Sequence, residues 1–202
     1  MKKLLVSFFA LFICLTTSAQ EAGKMRFGVT AGMNISSANL ERSHSSKIGF
    51  QAGFIGEYNF TENIFINATA RYSMRGVKNV DVNVGKLEWN PGYIEIPIHF
   101  GYRWAFTETF KVFAEAGPYA AYAISGKIKA NDGSDAGLFS DEAAVVLGGK
   151  YNKFEAGVGV NIGIEFSGIQ LKAGYDAALT KMADMSNSAK NNNISICLAY
   201  LF

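Results

Sequence analysis

The feature that most constrains this chain is an alternation of apolar and polar residues that recurs in eight stretches. Successive side chains of a β-strand point to opposite faces, so the alternation predicts strands with one apolar and one polar face. The predicted strands cover residues 27–35, 48–60, 64–75, 94–104, 112–127, 154–166, 169–180 and 194–202. About ten residues is the length that a tilted strand needs to cross a bilayer.

The connections between these strands alternate between short and long. The short ones are residues 59–63, 105–109 and 167–168, and the long, polar ones are residues 37–47, 76–92, 128–152 and 181–192. Short turns at one end and long loops at the other are typical of outer-membrane barrels. The sequence therefore predicts an all-β fold, an eight-stranded antiparallel up-and-down transmembrane β-barrel with short periplasmic turns and long extracellular loops.

A soluble lipocalin-like barrel is the alternative, because its strands alternate in the same way with the two faces exchanged. The glycines favour the membrane barrel. Those on the polar face are Gly28, Gly32, Gly49, Gly53, Gly101, Gly117, Gly157, Gly159, Gly163 and Gly174. Glycine on a solvated outer face would weaken the sheet, whereas in a narrow lumen it makes room for large polar side chains. We therefore predict that the polar face lines the lumen.

The same polar face carries charged residues of both signs. They are Glu57, Arg71, Arg75, Glu95, Arg103, Glu115, Lys127, Glu155, Glu165, Lys172 and Asp176. An unpaired buried charge is strongly destabilising, so a narrow lumen must pair its charges. We interpret this set as a lumenal charge network that fills the barrel. A path for protons or solutes is the alternative interpretation.

Aromatic residues gather towards both ends of the apolar stripe. Near the short turns they are Tyr58, Phe60, Trp104, Phe106, Phe166, Tyr200 and Phe202, and near the long loops they are Tyr72, Tyr122 and Tyr175. Two such bands are typical of the girdles that lie at membrane interfaces.

Pro97 and Pro118 lie within predicted strands. Each removes an N–H donor from the hydrogen-bond ladder of its strand, and we predict a local bulge at both.

Residues 1–19 have the organisation of a secretory signal peptide. Two lysines precede an apolar run over residues 4–15, and small residues follow up to Ala19. We predict cleavage between Ala19 and Gln20, which leaves residues 20–202 as an outer-membrane β-barrel domain. A membrane anchor is the alternative, but the apolar run is too short to span the hydrocarbon core.

The rest of the sequence shows no clear pattern for binding nucleic acid, a metal or a cofactor. Cleavage would remove two lysines and no acid, so the 19 basic and 17 acidic residues become equal in number and no basic face for nucleic acid is expected. Cys197 would be the single cysteine left and could form no intramolecular disulfide. Residues 132–135 are interpreted as an ordinary turn and not as a calcium site, because the rest of a calcium-binding loop is absent. We expect no metal, because the two histidines and the cysteine are widely spaced, and no cofactor, because no Gly-rich phosphate loop of the strand-to-helix kind appears.

His44 and His99 are the two histidines. His44, between two serines in a predicted loop, could be the base of an acyl-transfer site, but such a site also needs an oriented nucleophile and acid. His99 is expected to form hydrogen bonds in the lumen. We therefore predict that the protein is not an enzyme and has no catalytic residues.

Four segments carry a resemblance to a known family. They are residues 27–36 (FGVTAGMNIS), 93–97 (YIEIP), 115–119 (EAGPY) and 198–202 (LAYLF). In this order they resemble the PorT-like outer-membrane β-barrel family, which is common in Bacteroidetes. The resemblance implies an eight-stranded barrel in the outer membrane of a Gram-negative bacterium. It also implies that Tyr200 and Phe202 form a C-terminal insertion signal, and the founding member of the family is linked to type IX protein secretion.

Two classes of function follow for such a barrel. The first is a structural or interaction role, in which the long loops, chiefly residues 128–152, bind envelope or secretion proteins. The second is transport of ions or small solutes, and it is less favoured because side chains fill an eight-stranded barrel. A soluble periplasmic lipocalin-like carrier is a further alternative. The partners expected for the first class are outer-membrane lipid, the barrel-insertion machinery during assembly, and envelope proteins, with no nucleic acid.

Overall fold

The structure, a computed structural model, describes residues 23–38, 45–82, 85–130, 135–137, 139–140, 152–181 and 190–202. These residues form ten β-strands: β1 (Met25–Ala38), β2 (Ser45–Asn59), β3 (Ile64–Met74), β4 (Val77–Val82), β5 (Gly85–Ala105), β6 (Phe110–Ala130), β7 (Asp135–Gly137), β8 (Phe154–Phe166), β9 (Ile169–Ala178) and β10 (Asn191–Leu201). Within these ranges there is no helix long and apolar enough to cross a membrane. The predicted cleavage site, His44 and residues 132–134 lie outside the described residues.

Eight of the strands close into an antiparallel barrel. Each pairs with its neighbours in the order β1, β2, β3, β5, β6, β8, β9 and β10. β10 then returns to β1 in a continuous register from Gly28 opposite Leu201 to Ala38 opposite Asn191. The barrel therefore has no open edge along its wall, and the predicted eight-stranded up-and-down barrel is confirmed.

The two remaining strands belong to the loop end of the barrel. β4 pairs with the first part of β5, and β7 pairs with the last part of β6. β5 and β6 each have 21 residues, about twice the length that a span requires. Residues 77–82 and 85–92, predicted as loop, are strands because the long hairpin continues its ladder past the end of the wall.

One irregularity in the β5–β6 ladder changes the prediction for Lys127. β6 contains one residue more than β5 between the pairs Gly92–Ser125 and Tyr93–Ala123. An extra residue turns the side chains that follow to the opposite face. Lys127 is consequently exposed, and its predicted place in the lumenal network is wrong.

The predicted bulges at Pro97 and Pro118 are also wrong. Pro97 lies opposite Tyr119 in an unshifted stretch of the β5–β6 ladder, and Pro118 lies opposite Val158 in an unshifted β6–β8 ladder. A proline removes one N–H donor from a strand but adds no residue to it. Pairing can therefore continue on both sides without a change of register.

The two faces of the barrel have opposite character. Outward-pointing Phe54 and Ile162 are 64% and 67% exposed, whereas inward-pointing Glu57 is fully buried. Aromatic contacts concentrate at the turn end, where the rings of Tyr102 and Trp104 lie 4.8 Å apart. A lipocalin has a polar outer face and an apolar interior, and this barrel has the reverse arrangement. The alternative of a soluble lipocalin-like carrier is therefore excluded.

Barrel closure between β1 and β10 predicts a specific disulfide. Ala31 lies opposite Leu198, and directly opposed residues of an antiparallel pair have Cα atoms about 4.5–5.5 Å apart, within disulfide reach. In a Cys197→Ser background, Ala31→Cys with Leu198→Cys should cross-link on oxidation, as a non-reducing gel would reveal. Ala31→Cys with Ile194→Cys is the control, four residues out of register. Equal cross-linking of both pairs would contradict this closure.

Candidate functional site: the polar lumen

Inward-pointing charged side chains fill the lumen in three clusters. The turn-end cluster comprises Arg26, Glu57, Arg103, Glu165 and Gln170. The middle cluster comprises Asn67, His99, Glu115, Asn161 and Lys172. The loop-end cluster comprises Arg71, Arg75, Glu95, Glu155 and Asp176. All of them except Arg75, which directly follows the end of β3, belong to strands whose alternation directs them inward.

The turn-end cluster pairs two guanidinium groups with two carboxylates. Arg26 forms an ion pair with Glu57 and donates a 2.7 Å hydrogen bond to Glu165. Arg103 donates to Glu57 at 2.7 Å and lies 3.4 Å from Glu165. Gln170 completes the cluster with a 2.7 Å bond to Glu165. Each carboxylate therefore has both cations as neighbours, which offsets the cost of burying it.

A pair of aromatic rings lies between the turn-end and middle clusters. Phe65 and Phe113 are buried in the lumen, with their ring centroids 6.0 Å apart and their planes 81° apart. The Arg103 guanidinium lies 4.4 Å from the Phe65 centroid, and the Lys172 ammonium lies 5.4 Å from the Phe113 centroid. Each ring thus has a cation over its face, which is a favourable contact.

Two glycines leave the space that these rings occupy. A Cβ atom at Gly101 would overlap the ring of Phe65, and one at Gly163 would overlap the ring of Phe113. Both glycines lie directly opposite the phenylalanines they accommodate, Gly101 on β5 and Gly163 on β8. Small residues in this lumen therefore make room for apolar rings as well as for polar groups.

The middle cluster surrounds the carboxylate of Glu115. Its oxygens accept hydrogen bonds from Asn67 at 2.5 Å, from Asn161 at 2.8 Å and from Lys172 at 3.3 Å. Nδ1 of His99 lies 3.5 Å from the same carboxylate and 3.0 Å from the Asn161 amide nitrogen. One ammonium group and two amides thus stabilise a single buried negative charge.

The loop-end cluster contains three carboxylates and two guanidinium groups. Arg75 donates to Glu155 at 2.7 Å and to Glu95 at 2.5 Å. Arg71 forms an ion pair with Glu95 and donates to Asp176 at 3.2 Å. The negative charge exceeds the positive charge by one, so neutral donors are needed as well.

Neutral side chains supply those donors. The Tyr119 hydroxyl donates to Glu155 at 3.0 Å, and the Asn191 amide donates to the same carboxylate at 3.2 Å. The Asn193 amide donates to Asp176 at 3.2 Å. Hydrogen bonds to an ionised group are stronger than those between neutral groups, so they help to hold the excess charge in the lumen.

The structure brings the predicted charged residues together with the exception of Lys127. Sequence reasoning missed Arg26, although it lies two residues before Gly28 and so shares the inward face. It also missed the ring pair, because Phe65 and Phe113 are apolar residues at positions where the alternation predicts polar side chains. Tyr200 points outward and Phe202 is half-buried beside it, with their rings 6.2 Å apart.

The lumen resembles a filled interior more than a reactive cleft. Its carboxylates are buried and already engaged by guanidinium, ammonium or amide donors. In the part of the chain that the structure describes, no group of three or more His, Cys, Asp or Glu residues is placed to hold a metal ion. What the arrangement can do is neutralise charge and fix the packing of eight strands.

The turn-end cluster predicts a large effect for Glu57→Gln. The substitution leaves two guanidinium groups with one carboxylate, so we expect a loss of about 3–5 kcal/mol in the free energy of unfolding. Urea titration of the protein refolded in lipid vesicles would measure it. Glu62→Gln, in the exposed turn after β2, is the matched control and should change little. Similar losses for both variants would contradict the pairing.

Comparison with known proteins agrees with this architecture. Among curated proteins none matches the chain. The solved outer-membrane protein OprG of Pseudomonas aeruginosa is similar over 92% of this chain and 99% of its own, with 14% identity and a TM-score of 0.52. Neisserial surface protein A is 15% identical over 88% of this chain and 97% of its own, with a TM-score of 0.49.

The Yersinia pestis attachment invasion locus protein Ail is 11% identical over 90% of this chain and 99% of its own, with a TM-score of 0.47. At identities this low, structural similarity indicates the fold alone. The similarity to OprG, with a TM-score of 0.52, supports the barrel fold. The family model described as outer membrane protein beta-barrel domain matches residues 18–184, most of the chain. The chain therefore belongs to the outer membrane protein beta-barrel domain family and lies in the outer membrane of a Gram-negative bacterium.

Proposed function

We propose that this outer-membrane protein is a closed, non-conducting barrel with a structural or interaction role, and that its extracellular end binds other envelope molecules. The observation that carries the proposal is the ring pair of Phe65 and Phe113 between the two cations Arg103 and Lys172. A catalytic role has no support in this lumen, because its carboxylates are buried and engaged. We therefore also propose that the protein is not an enzyme.

The ring pair opposes ion passage for two reasons. Apolar rings give a permeating ion no replacement for its hydration shell, so crossing them carries a desolvation cost. The charged groups on either side are already engaged in ion pairs, Arg103 with Glu57 and Lys172 with Glu115, so they offer little to replace the lost hydration. A continuous row of polar side chains would have favoured the transport alternative.

The extracellular end offers a larger surface than the periplasmic end. β5 continues seven residues and β6 eight residues past the wall, and β4 and β7 widen them into a small sheet. β8 begins at Phe154, opposite Tyr122, so among the described residues this sheet projects beyond the neighbouring wall strand. Such a projection supports a role in contacts with partners.

The narrower assignments remain predictions. The segments that resemble the PorT-like family lie in β1, β5, β6 and at the end of β10. Membership of that family, an origin in Bacteroidetes and a link to protein secretion are proposals that rest on this resemblance. We also propose that the exposed apolar stripe contacts outer-membrane lipid and that Tyr200 and Phe202 engage the insertion machinery.

The proposal predicts that planar bilayers containing the wild-type protein show no stable conductance steps. The double variant Phe65→Ala and Phe113→Ala should show them, because removal of both rings allows water to join the clusters on either side. Single-channel recording provides the measurement.

The control for that experiment is Phe60→Ala with Phe106→Ala. Both rings are exposed on the outer face, 48% and 70%, so their loss leaves the lumen unchanged. This control should stay silent. Stable ohmic steps from the wild-type barrel would favour transport and refute the non-conducting barrel.

The interaction role predicts position-dependent cross-linking in intact cells. A photoreactive residue at position 127, exposed on the extracellular part of β6, should give discrete cross-linked products. The same residue at position 107, in a short periplasmic turn, is the control for general reactivity. Replacement of residues 78–88 by a two-residue turn should abolish the products from position 127. The barrel itself should still fold, as a shift in gel mobility on boiling would show. Products that persist without residues 78–88 would contradict binding by the extracellular sheet.

A further inference from the structure

An open groove lies in the outer wall of the barrel. Its volume is about 260 Å³, and it crosses β1, β2, β3 and β5. The outward-pointing residues that line it are Phe27, Phe54, Gly56, Ala68, Ala70 and Ile96. All six are apolar, and none belongs to the lumenal clusters.

Small residues form the floor of this groove, and large side chains stand beside them. Gly56 lies opposite Phe27 on β1 and opposite Ala68 on β3, and Phe54 lies opposite Ala70. Phe27 and Phe54 project from the wall and are 49% and 64% exposed. The groove is therefore a gap in a surface that is otherwise covered by large apolar side chains.

Gly56 is the lining residue that most requires an explanation. Lumenal glycines such as Gly101 make room for a side chain, because a Cβ atom there would overlap the Phe65 ring. At Gly56 a Cβ atom would meet only the Phe27 ring, at an ordinary contact distance of 3.6 Å. The ladders on both sides of Gly56 are unshifted, so it marks no bulge. A strand glycine with neither role is typical of a place where a ligand approaches the backbone closely.

The position of the groove in the membrane indicates the class of its occupant. Phe27 lies close to the turn end of β1, at Met25, whereas Ile96 lies well inside the wall part of β5, which runs over residues 92–105. The groove thus runs from the periplasmic rim of the wall towards the middle of the bilayer. The acyl chains of the periplasmic leaflet occupy this region.

We propose that the groove binds one acyl chain of a phospholipid from the periplasmic leaflet. Lipid tails are as apolar as the wall, so the preference for the groove arises from van der Waals packing. A chain beside Gly56 contacts protein atoms below it and on both sides, whereas a chain against a convex wall contacts them on one side. This site rests on the proposed contact of the apolar stripe with lipid and adds a preferred position to it.

The test is photolabelling of the full chain in phospholipid vesicles, with a phospholipid that carries a diazirine in one acyl chain. Mass spectrometry then maps the labelled residues. Ile162 on β8 is the matched reference for Phe54, because it is 67% exposed and lies on the opposite side of the barrel. We expect labelling around Phe54 to be several-fold stronger than labelling around Ile162. Equal labelling would overturn the groove site but leave general lipid contact intact, and no labelling at either position would overturn both.

The place of the diazirine along the acyl chain tests the direction in which the chain lies. A diazirine near the ester should label residues around Phe27, and one near the terminal methyl group should label residues around Ile96. The reverse order would mean that the chain enters from the extracellular side, which would overturn the assignment to the periplasmic leaflet.

The variant Gly56→Leu provides a second readout. Its side chain fills the groove, so labelling around Phe54 should fall to the level around Ile162, while gel mobility still shifts on boiling. Ala173→Leu, at an outward position opposite Ile162, is the control and should leave labelling around Phe54 unchanged. Undiminished labelling in a folded Gly56→Leu variant would overturn the proposal. A wild-type groove that is protected from the probe in cross-linkable dimers would also overturn it, because a second copy would then be the occupant.

Discussion

The pairing of buried charges is the constraint on which the rest of this barrel depends. Closing eight strands encloses a space too narrow for bulk water, so each inward carboxylate must find its donors within the wall. Glu57 between Arg26 and Arg103 is the clearest case, because three strands contribute to one ion-pair group. A shift of any of these strands by one residue would turn its charge towards the apolar outside.

The phenylalanine pair adds a second kind of interior to the same lumen. Phe65 and Phe113 are stabilised by burial and by the cations of Arg103 and Lys172, and Gly101 and Gly163 leave the space for them. One apolar layer thus lies between the turn-end cluster and the other two charged clusters, so the lumen is not one polar column. This layering supports the proposal that the lumen does not conduct. It therefore favours a function at the extracellular rim over transport through the barrel.

Among the described residues, the strands that extend furthest past the wall form one hairpin, β5 with β6. β5 and β6 extend past the wall together, so the added residues satisfy one another's backbone groups by pairing. A single extra residue in β6 marks the start of this extension and turns Lys127 outward. A bulge of this kind increases local twist and bends the strand, which suits the change from the closed wall to the sheet that extends beyond it.

Alternation by itself determined the eight wall strands, their two faces and the short and long connections, because side-chain period follows directly from strand geometry. It also gave most of the inward charges, wrongly included Lys127, and could have given Arg26 and Lys111 by the same parity. Only the tertiary structure decided which charges meet, where the ring pair lies and how far the hairpin of β5 and β6 extends. These depend on strand register and on a one-residue bulge, which are set by contacts across the whole barrel rather than by the local sequence.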